Sequence, residues 1–387
     1  MYVILFFMRV KAVIHLKNFK ENMESIRARA GKERLICVPV KADAYGHGAL
    51  EIAKASIEAG AYCLGVAAVS EAAVLRNGGI NAPVMIFSQP HPDEIPEIIS
   101  GNLIPFISDA EFASALNEQA AEKKIKLQVH LKIDTGMRRI GCNADESKVI
   151  ASHISSCHWL ELAGVATHLA VSDSTDKQDI DFTKQQLHKF RKAVDAIKAA
   201  GINPGIVHAA NSGAVILYPD SFFDMIRPGI LLYGYKAADE SDIDKSVSPE
   251  LNNYKPVIVK PVMELTSEVT LIKKIKKCDS VSYGRTWTAQ KDTYIGILSA
   301  GYADGLPRSA GNKWQVQING KTYPVIGRVT MDQCCIDLGP EPSVNRWDEA
   351  VIFGGSAPDA SELASVTGTI PYEITCNVNK RVPRVYV

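Results

Sequence analysis

The sequence predicts an α/β barrel of the TIM type followed by a mostly β domain. From about residue 18 to residue 234, short apolar runs alternate with amphipathic helical segments, which is typical of parallel strands joined by helices. Eight such runs occur in this part of the chain, and eight βα units close a TIM-type barrel. Past Tyr235, strand-like runs follow one another with turn residues between them. We therefore expect a barrel domain over residues 9–240 and a β domain over residues 241–387.

The elements of the barrel follow from local patterns. Phe19, Met23 and Ile26 recur at helical spacing, and Gly31 ends this first helix. The clearest later helices are Ala110–Lys124 and Lys177–Ala200. The eight predicted strands are Leu35–Val40, Tyr62–Ala68, Val84–Phe87, Leu103–Ile107, Leu127–Ile133, Leu162–Thr167, Ile206–Ala209 and Phe223–Ile226.

The β domain is predicted to follow a polar, irregular stretch, Ala237–Pro256. Asn319-Gly320 has the composition of a tight hairpin turn between two of its strands. Residues 1–15 are a candidate further strand of the same domain. The predicted strands are Val262–Ile275, Thr293–Ser299, Trp314–Ile318, Tyr323–Val329 and Ala350–Phe353.

Composition narrows the class of protein. The chain has 387 residues, 46% of them apolar and 22% charged, with a formal net charge of zero, which is ordinary for a globular protein and offers no basic surplus for nucleic acid. Met1–Met8 is apolar but far shorter than the ~20 residues of a membrane span, so it is either an edge strand or an extension ahead of a start at Met8. The eight cysteines form no C-x-x-C pair and no metal-binding pattern, so we expect a protein of the reducing cytoplasm without a metal site.

Polar residues close several of the predicted barrel strands. Active sites of TIM-type barrels lie at the carboxyl ends of the strands, where these residues fall. The loops after strands 7 and 8 commonly bind phosphate through backbone N–H groups, and here they hold Asn211-Ser212-Gly213 and Gly229-Ile230. The strand-closing residues are Lys41, Asp134–Gly141, His168, Asn211-Ser212 and Arg227–Ile230.

Lys41 is the candidate nucleophile of this set. A lysine at the mouth of an apolar barrel, with its charged form disfavoured, can form a Schiff base with an aldehyde. An aldehyde that also carries a phosphate for the facing loops points to pyridoxal phosphate. By position alone, Lys41 also fits a lysine that reaches the surface from a strand end, but the whole set favours the cofactor.

Motifs in both predicted domains together resemble the alanine racemase family, in the family's order and over nearly the whole chain. The resemblance implies a pyridoxal-phosphate enzyme that interconverts L- and D-alanine for peptidoglycan, working as a homodimer with each active site completed by the partner subunit. The motifs are Val40-Lys-Ala-Asp-Ala-Tyr-Gly-His-Gly48, Asp134-Thr-Gly-Met137, His168, His208-Ala-Ala-Asn-Ser212, Arg227-Pro-Gly229, Val281-Ser-Tyr-Gly284, Gly301-Tyr-Ala-Asp-Gly305, Met331-Asp332 and Ile370-Pro-Tyr372.

The resemblance also implies roles for single residues. Lys41 and Tyr283 of the partner subunit are the expected two bases, one on each face of the substrate. Their reference pKa values of ~10.4 and ~10 must be lowered for work near neutrality. His168 is expected to pack on the pyridine ring. The other expected cofactor contacts are Tyr45, Asn211, Ser212, Arg227, Gly229, Ile230 and Tyr372.

Arg227 bears on which of two reactions, racemisation or decarboxylation, an enzyme of this fold carries out. A guanidinium does not give up its proton at a pKa above ~12, so a pyridine nitrogen facing it stays largely unprotonated. A weak electron sink of this kind favours removal and return of the α-proton over decarboxylation. Arg227 therefore favours a racemase.

For the substrate carboxylate, the resemblance implies Arg139 together with the backbone N–H of Met331. Arg138 stands where the family usually has glycine, so either arginine is a candidate. Lys132 matches a lysine that is carbamylated in relatives, and an unmodified Lys132 paired with a carboxylate is the alternative. The expected access and supporting residues are Asp173, Tyr302, Arg308, Arg328 and Asp332.

Three other functions are alternatives to an alanine racemase. A pyridoxal-phosphate carrier on a similar barrel lacks the β domain, so Val281–Gly284 and Met331-Asp332 oppose it. A decarboxylase of the same fold is opposed by Arg227. A racemase that acts on serine or larger amino acids is the alternative that the sequence leaves open.

Overall fold

The computed structural model describes residues 9–238 and 255–387. The interpretations of Met1–Met8, and of all but the two ends of Ala237–Pro256, lie outside the described residues. The chain divides into two compact units. Among the described residues, the barrel unit comprises 19–44, 49–238 and 255–259, and the β unit comprises 9–18, 45–48 and 260–387.

The predicted barrel is confirmed. Eight strands pair in parallel and the ring closes where Ile104–Ile107 meets Leu127–Asp134. Cys142–Asn143 is an extra strand beside Leu127–Asp134. The ring strands are Leu35–Pro39, Cys63–Val66, Val84–Ile86, Ile104–Ile107, Leu127–Asp134, Leu160–Ala166, Ile206–His208 and Met225–Ile226.

Helices follow the strands as the βα pattern requires. Asp109 caps the helix Ala110–Lys123 by accepting a hydrogen bond from Phe112 N–H, and Asp176 caps Lys177–Ala199 in the same way through Gln178 N–H. The described α-helices before residue 238 are Leu16–Ala30, Ala49–Glu58, Val69–Asn77, Ile95–Ser100, Ala110–Lys123, Ser147–Ser156, Lys177–Ala199 and Ser212–Leu217.

The core of the barrel contains sulfur and aromatic side chains. Cys37 and Cys63 pair in register on adjacent parallel strands, and Phe106 and Met225 pack in the same cluster. All four side chains are almost completely buried. This packed interior leaves the strand ends as the place where polar groups meet.

The β unit is built on an eight-stranded sheet. Met263–Ile275 is its longest strand and pairs with Val10–Ile14, Thr293–Leu298 and Glu349–Phe353. Asn319 and Gly320 have φ of 50° and 77° and join two strands as the predicted hairpin turn. The remaining elements are the strands Ser280–Val281, Trp287–Thr288, Gln315–Ile318, Lys321–Ile326, Cys334–Gly339 and Arg384–Tyr386 and the helices Ala360–Thr367 and Pro371–Cys376.

The Gly-His-Gly turn belongs to the β unit, where it packs against the C-terminal segment. Gly46 has φ of 83°, and a Cβ there would lie 2.1 Å from the carbonyl oxygen of Thr375. Arg384 Nε donates to the carbonyl of Gly46 at 3.0 Å. A Cβ at Gly48 would lie 1.9 Å from Tyr386 Oη. Only glycine permits both the left-handed backbone and these close approaches.

Among the helices of the described residues, none combines the length and the apolar character that crossing a membrane requires.

Candidate active site

Lys41 begins a left-handed turn at the end of a barrel strand. Ala42, Asp43, Ala44 and Tyr45 follow it with φ of 52°, 53°, 54° and 54°. A non-glycine residue in this conformation costs roughly 1–2 kcal/mol, so the surrounding structure must hold the turn in place.

Two carboxylates of the barrel unit hold this turn. Glu71 accepts hydrogen bonds from the backbone N–H of Ala42 at 2.6 Å and of Ala67 at 2.7 Å. Asp43 Oδ1 accepts from the N–H of Ala49 at 2.7 Å. Since these bonds use N–H groups on both sides of the turn, the backbone around Lys41 has little freedom.

Arg227, His208 and His130 form a buried hydrogen-bonded row. Arg227 Nη1 lies 2.5 Å from His208 Nδ1, and His208 Nε2 lies 2.8 Å from His130 Nδ1. A guanidinium can only donate, so His208 Nδ1 accepts. The proton of neutral His208 is therefore on Nε2, which donates to His130. Arg227 Nη2 donates to the carbonyls of Thr167 and Ala209 at 2.7 and 3.1 Å.

The electrostatics of the row agree with these assignments. Burial, with the charge of Arg227, lowers the pKa of His130 to about 3 and also lowers the pKa of His208. Both rings are therefore neutral at neutral pH. Burial lowers the pKa of Arg227 to about 10, which still leaves it charged.

Lys132 lies on the same strand as His130, two residues further on. Its ammonium lies 5.3 Å from the centre of the Phe106 ring. Burial, followed by the charges of Arg227 and Arg139, lowers the pKa of Lys132 well below its ordinary value.

His168 is also held neutral. Burial lowers its pKa well below its ordinary value, and the charges of Lys132, Arg227, Arg139 and Lys41 act in the same direction. Lys41, Lys132, Arg139 and Arg227 thus all act on one imidazole. A narrow cleft is lined by Lys132, Ile133, Asp134, Met137, Arg139, Ile140 and His168, so it includes Arg139 and not Arg138.

The loops after the last two barrel strands meet at Ser212. Its hydroxyl oxygen accepts hydrogen bonds from the N–H of Gly229 at 2.8 Å and of Leu231 at 3.3 Å. Ile230 is fully buried, and no hydrogen bond among the described residues uses its N–H. Asn211 caps the short helix that Ser212 begins, accepting from Ala214 N–H.

Asn211 also links this loop to the segment that contains Asp173. Its Nδ2 donates to Leu169 O at 3.1 Å, and its Oδ1 accepts from Ser172 Oγ at 2.6 Å. A Cβ at Gly213 would lie 2.7 Å from Ser172 O and 2.8 Å from Asp173 N. The glycine after Ser212 therefore lets two loops approach closely.

Six of the seven site residues predicted in the second domain line one depression of the β unit, and Tyr372 is the exception. Tyr283 is 73% exposed and Met331 is 53% exposed. A depression of about 710 Å³ is lined by Tyr283, Tyr302, Arg308, Arg328, Val329, Thr330, Met331, Asp332 and Gln333. Six of these residues are predicted site residues.

The backbone that presents Tyr283 is strained. Ser282 has φ of 64° and ψ of −178°, a region that is essentially restricted to glycine, and Arg285 has φ of 50°. Ser282 Oγ donates to the carbonyl of Arg328 at 2.7 Å. A Cβ at Gly284 would lie 2.9 Å from Arg328 Cζ. Strain of this kind is characteristic of functional sites.

The structure thus places the predicted residues in two groups, each within one unit. Tyr45 and Tyr372 belong to the β unit, with ring centroids 5.9 Å apart.

Sequence reasoning assigned no role to Glu71 or His130. The alternation of inward positions along Leu127–Asp134 could have identified His130, whereas no local signal marks Glu71 as the residue that holds the turn.

Comparisons with known proteins point to one family. Residues 14–237 match the family model for the N-terminal domain of alanine racemase, and residues 262–386 match the model for its C-terminal domain. The chain is 50% identical over 383 residues to the alanine racemase of Treponema denticola, covering 97% of this chain and 98% of that relative. It is 42% identical over 386 residues to the alanine racemase of Treponema pallidum, covering 97% and 99%. The solved alanine racemase of Clostridium difficile superposes with a TM-score of 0.89 at 32% identity, covering 98% of this chain and 96% of that chain.

The role of Glu71 is testable by Glu71→Gln. A glutamine has one acceptor oxygen for the N–H groups of Ala42, Ala67 and Ala68, so we expect the free energy of unfolding to fall by about 1 kcal/mol and amide exchange at Ala42 to quicken. Hydrogen-exchange mass spectrometry measures the second effect. Glu51→Gln, which breaks only a surface pair with Lys54, is the control and should change neither. Unchanged exchange at Ala42 would contradict the role of Glu71.

The buried neutral His130 predicts a pH dependence of stability. Its folded-state pKa of about 3 lies below the ~6.5 of an unfolded histidine, so the stability it contributes is complete above that pH and is lost as pH falls towards 3. Between pH 7.5 and 5.5, the free energy of unfolding of the parent protein should therefore fall by about 1.4 kcal/mol more than that of His130→Gln. Urea titrations measure this difference. The control is His91→Gln, which replaces a histidine whose side chain is 70% exposed. If the free energy of unfolding changed equally with pH in the parent protein and in His130→Gln, His130 would not be the buried neutral histidine assigned here.

Proposed function

The chain belongs to the alanine racemase family, and we propose that it interconverts L-alanine and D-alanine with pyridoxal phosphate. The observation that most supports this is that a lysine on a constrained turn and a buried, charged Arg227, both in the barrel unit, act on the same imidazole, that of His168. The family resemblance further suggests that the D-alanine supplies peptidoglycan and that the enzyme is cytoplasmic.

The residues of the barrel unit fit pyridoxal phosphate. The buried N–H of Ile230 is available to a phosphate oxygen. The hydroxyl oxygen of Ser212 accepts hydrogen bonds from two N–H groups, so its own hydrogen remains for a further acceptor. Gly229 and Asn211 would complete or support this phosphate site, and His168 would pack on the ring. When bound, the cofactor withdraws electrons from the Cα of the amino acid and so makes its α-proton easier to remove.

Arg227 would face the pyridine nitrogen. It donates through both terminal nitrogens and stays charged at neutral pH, so it supplies no proton to that nitrogen. The row through His208 to His130 holds the guanidinium in this role. The resulting weak electron sink favours racemisation over decarboxylation.

Two bases would act on opposite faces of the substrate. Lys41 Nζ would take or return the α-proton on one face, and Oη of the partner subunit's Tyr283 would do so on the other. The 73% exposure of Tyr283 and its strained backbone suit a residue that a second subunit covers. The active form proposed is therefore a homodimer with shared sites.

The substrate carboxylate would be bound by Arg139 and by the partner subunit's Met331 N–H. Arg139 lines the cleft beside His168 and Lys132, which favours it over Arg138. The lowered pKa of Lys132 favours the neutral amine that reacts with carbon dioxide, which supports a carbamate at this position over an ammonium. Asp173, Tyr302, Arg308, Arg328 and Asp332 would line or support the approach of the substrate.

The activity is tested by incubating the purified protein with L-alanine, L-serine and larger L-amino acids, with and without added pyridoxal phosphate. We expect alanine to be racemised fastest, and Lys41→Ala to lower kcat by about 10³-fold or more because a base and the cofactor linkage are both lost. Chiral chromatography measures the products. The control is Lys20→Ala, a surface lysine paired with Glu58. Absence of alanine racemisation by the parent protein would reject the proposed function.

The shared site is tested by mixing two inactive variants, Lys41→Ala and Tyr283→Phe. Hybrid dimers contain one site with both changes and one intact site, so activity should return to roughly half per hybrid dimer once subunits exchange. Native mass spectrometry verifies the exchange. If hybrids form and remain inactive, the second base lies within the same chain as Lys41.

A further inference from the structure

We propose that Arg381 is a positioning residue for the substrate carboxylate, because it holds the Met331-Asp332 turn against Asp304. This inference rests on the proposed function and adds a residue that no sequence motif indicated. Arg381 lies in the segment between the helix Pro371–Cys376 and the strand Arg384–Tyr386.

Arg381 bridges two carboxylates of the β unit. Its Nε donates to Asp304 Oδ1 at 2.8 Å, and its Nη2 donates to Asp332 Oδ1 at 2.7 Å. The side chain of Asp304 is only 6% exposed, and its other oxygen accepts from the N–H of Gly301 at 2.9 Å. One guanidinium thus connects a buried anchor to the exposed Asp332.

Two backbone bonds join the same pair of turns. Tyr302 N–H donates to Thr330 O, and Ala303 N–H donates to Met331 O, both at 3.0 Å. A Cβ at Gly301 would lie 2.2 Å from Thr330 O, so glycine is required for this approach.

This pairing fixes the direction of two N–H groups. In a trans peptide the N–H points opposite to the C=O of the same unit, and the described peptide bonds are trans. The N–H groups of Met331 and Asp332 therefore point away from the Tyr302 turn. No hydrogen bond among the described residues uses either of them. They are available to an anion, and the turn must stay in place for them to remain aligned.

Arg381 also controls the charge beside these N–H groups. Asp332 stands one residue from Met331, where an unpaired carboxylate would repel the carboxylate of alanine. The hydrogen bonds that Arg381 donates to Asp304 and then to Asp332 raise its pKa, so its guanidinium stays charged across the pH range in which the protein would act. Arg381 thus anchors Asp332 and offsets part of its charge.

The test uses the holoenzyme of Arg381→Met, a change that keeps an unbranched apolar stem and removes the charged guanidinium. We expect the KM for alanine, and the Ki for propionate, which is alanine without its amino group, each to rise about tenfold, with kcat changed less than about twofold. Arg381→Lys, which keeps the charge but cannot bridge both carboxylates in the same way, should show an intermediate KM. The control is Lys11→Met, which removes a surface pair with Glu349 in the same unit and should leave both constants unchanged.

A second variant separates positioning from general stability. If the charge of Asp332 becomes harmful once Arg381 is lost, Asp332→Asn in the Arg381→Met background should recover part of the loss in KM and Ki. Unchanged KM in Arg381→Met, or a loss confined to kcat, would overturn the proposal while alanine racemisation by the parent protein still stands. A parent protein without racemase activity that binds propionate less tightly after Arg381→Met would instead reject the reaction and keep the anion site.

Discussion

The buried guanidinium of Arg227 is the constraint on which the barrel site depends. A charge removed from water must be surrounded by acceptors, and Arg227 finds them in His208 Nδ1 and two backbone carbonyls. Its donation fixes the tautomer of His208, which in turn donates to His130. Burial, and after it the charge of Arg227, disfavours protonation of His130, His208 and Lys132, so Arg227 adds to what burial does to the ionisation of this region.

Both proposed bases stand on strained backbone. The left-handed turn after Lys41 and the unusual conformation of Ser282 each cost free energy that neighbouring contacts offset. Glu71 provides those contacts in the barrel unit, and Arg328 provides them in the β unit. A strained segment held on several sides has few alternative conformations, which suits a group that must meet an α-proton with accurate geometry.

The C-terminal segment organises the β unit around its functional face. Arg384 holds the Gly46 carbonyl, and Arg381 holds Asp304 and Asp332. Tyr372, on the helix that precedes both arginines, stacks near Tyr45. Side chains proposed for cofactor and substrate thus share one short stretch of chain as their support.

The sequence by itself determined the barrel, the β domain and most of the chemically important residues, because the period of apolar residues, the number of strand-like runs and the residue types can be read directly along the chain. It predicted all eight barrel strands but missed the strands Cys334–Gly339 and Arg384–Tyr386 and the last two helices, although Asp359 with Glu362 and Gly368 marks both ends of the helix Ala360–Thr367. Tertiary structure alone decided that Arg227 donates to His208, that Glu71 holds the turn after Lys41, and that Arg381 reaches Asp332. These contacts join residues between 19 and 49 positions apart, and only the folded chain brings such groups within hydrogen-bond distance.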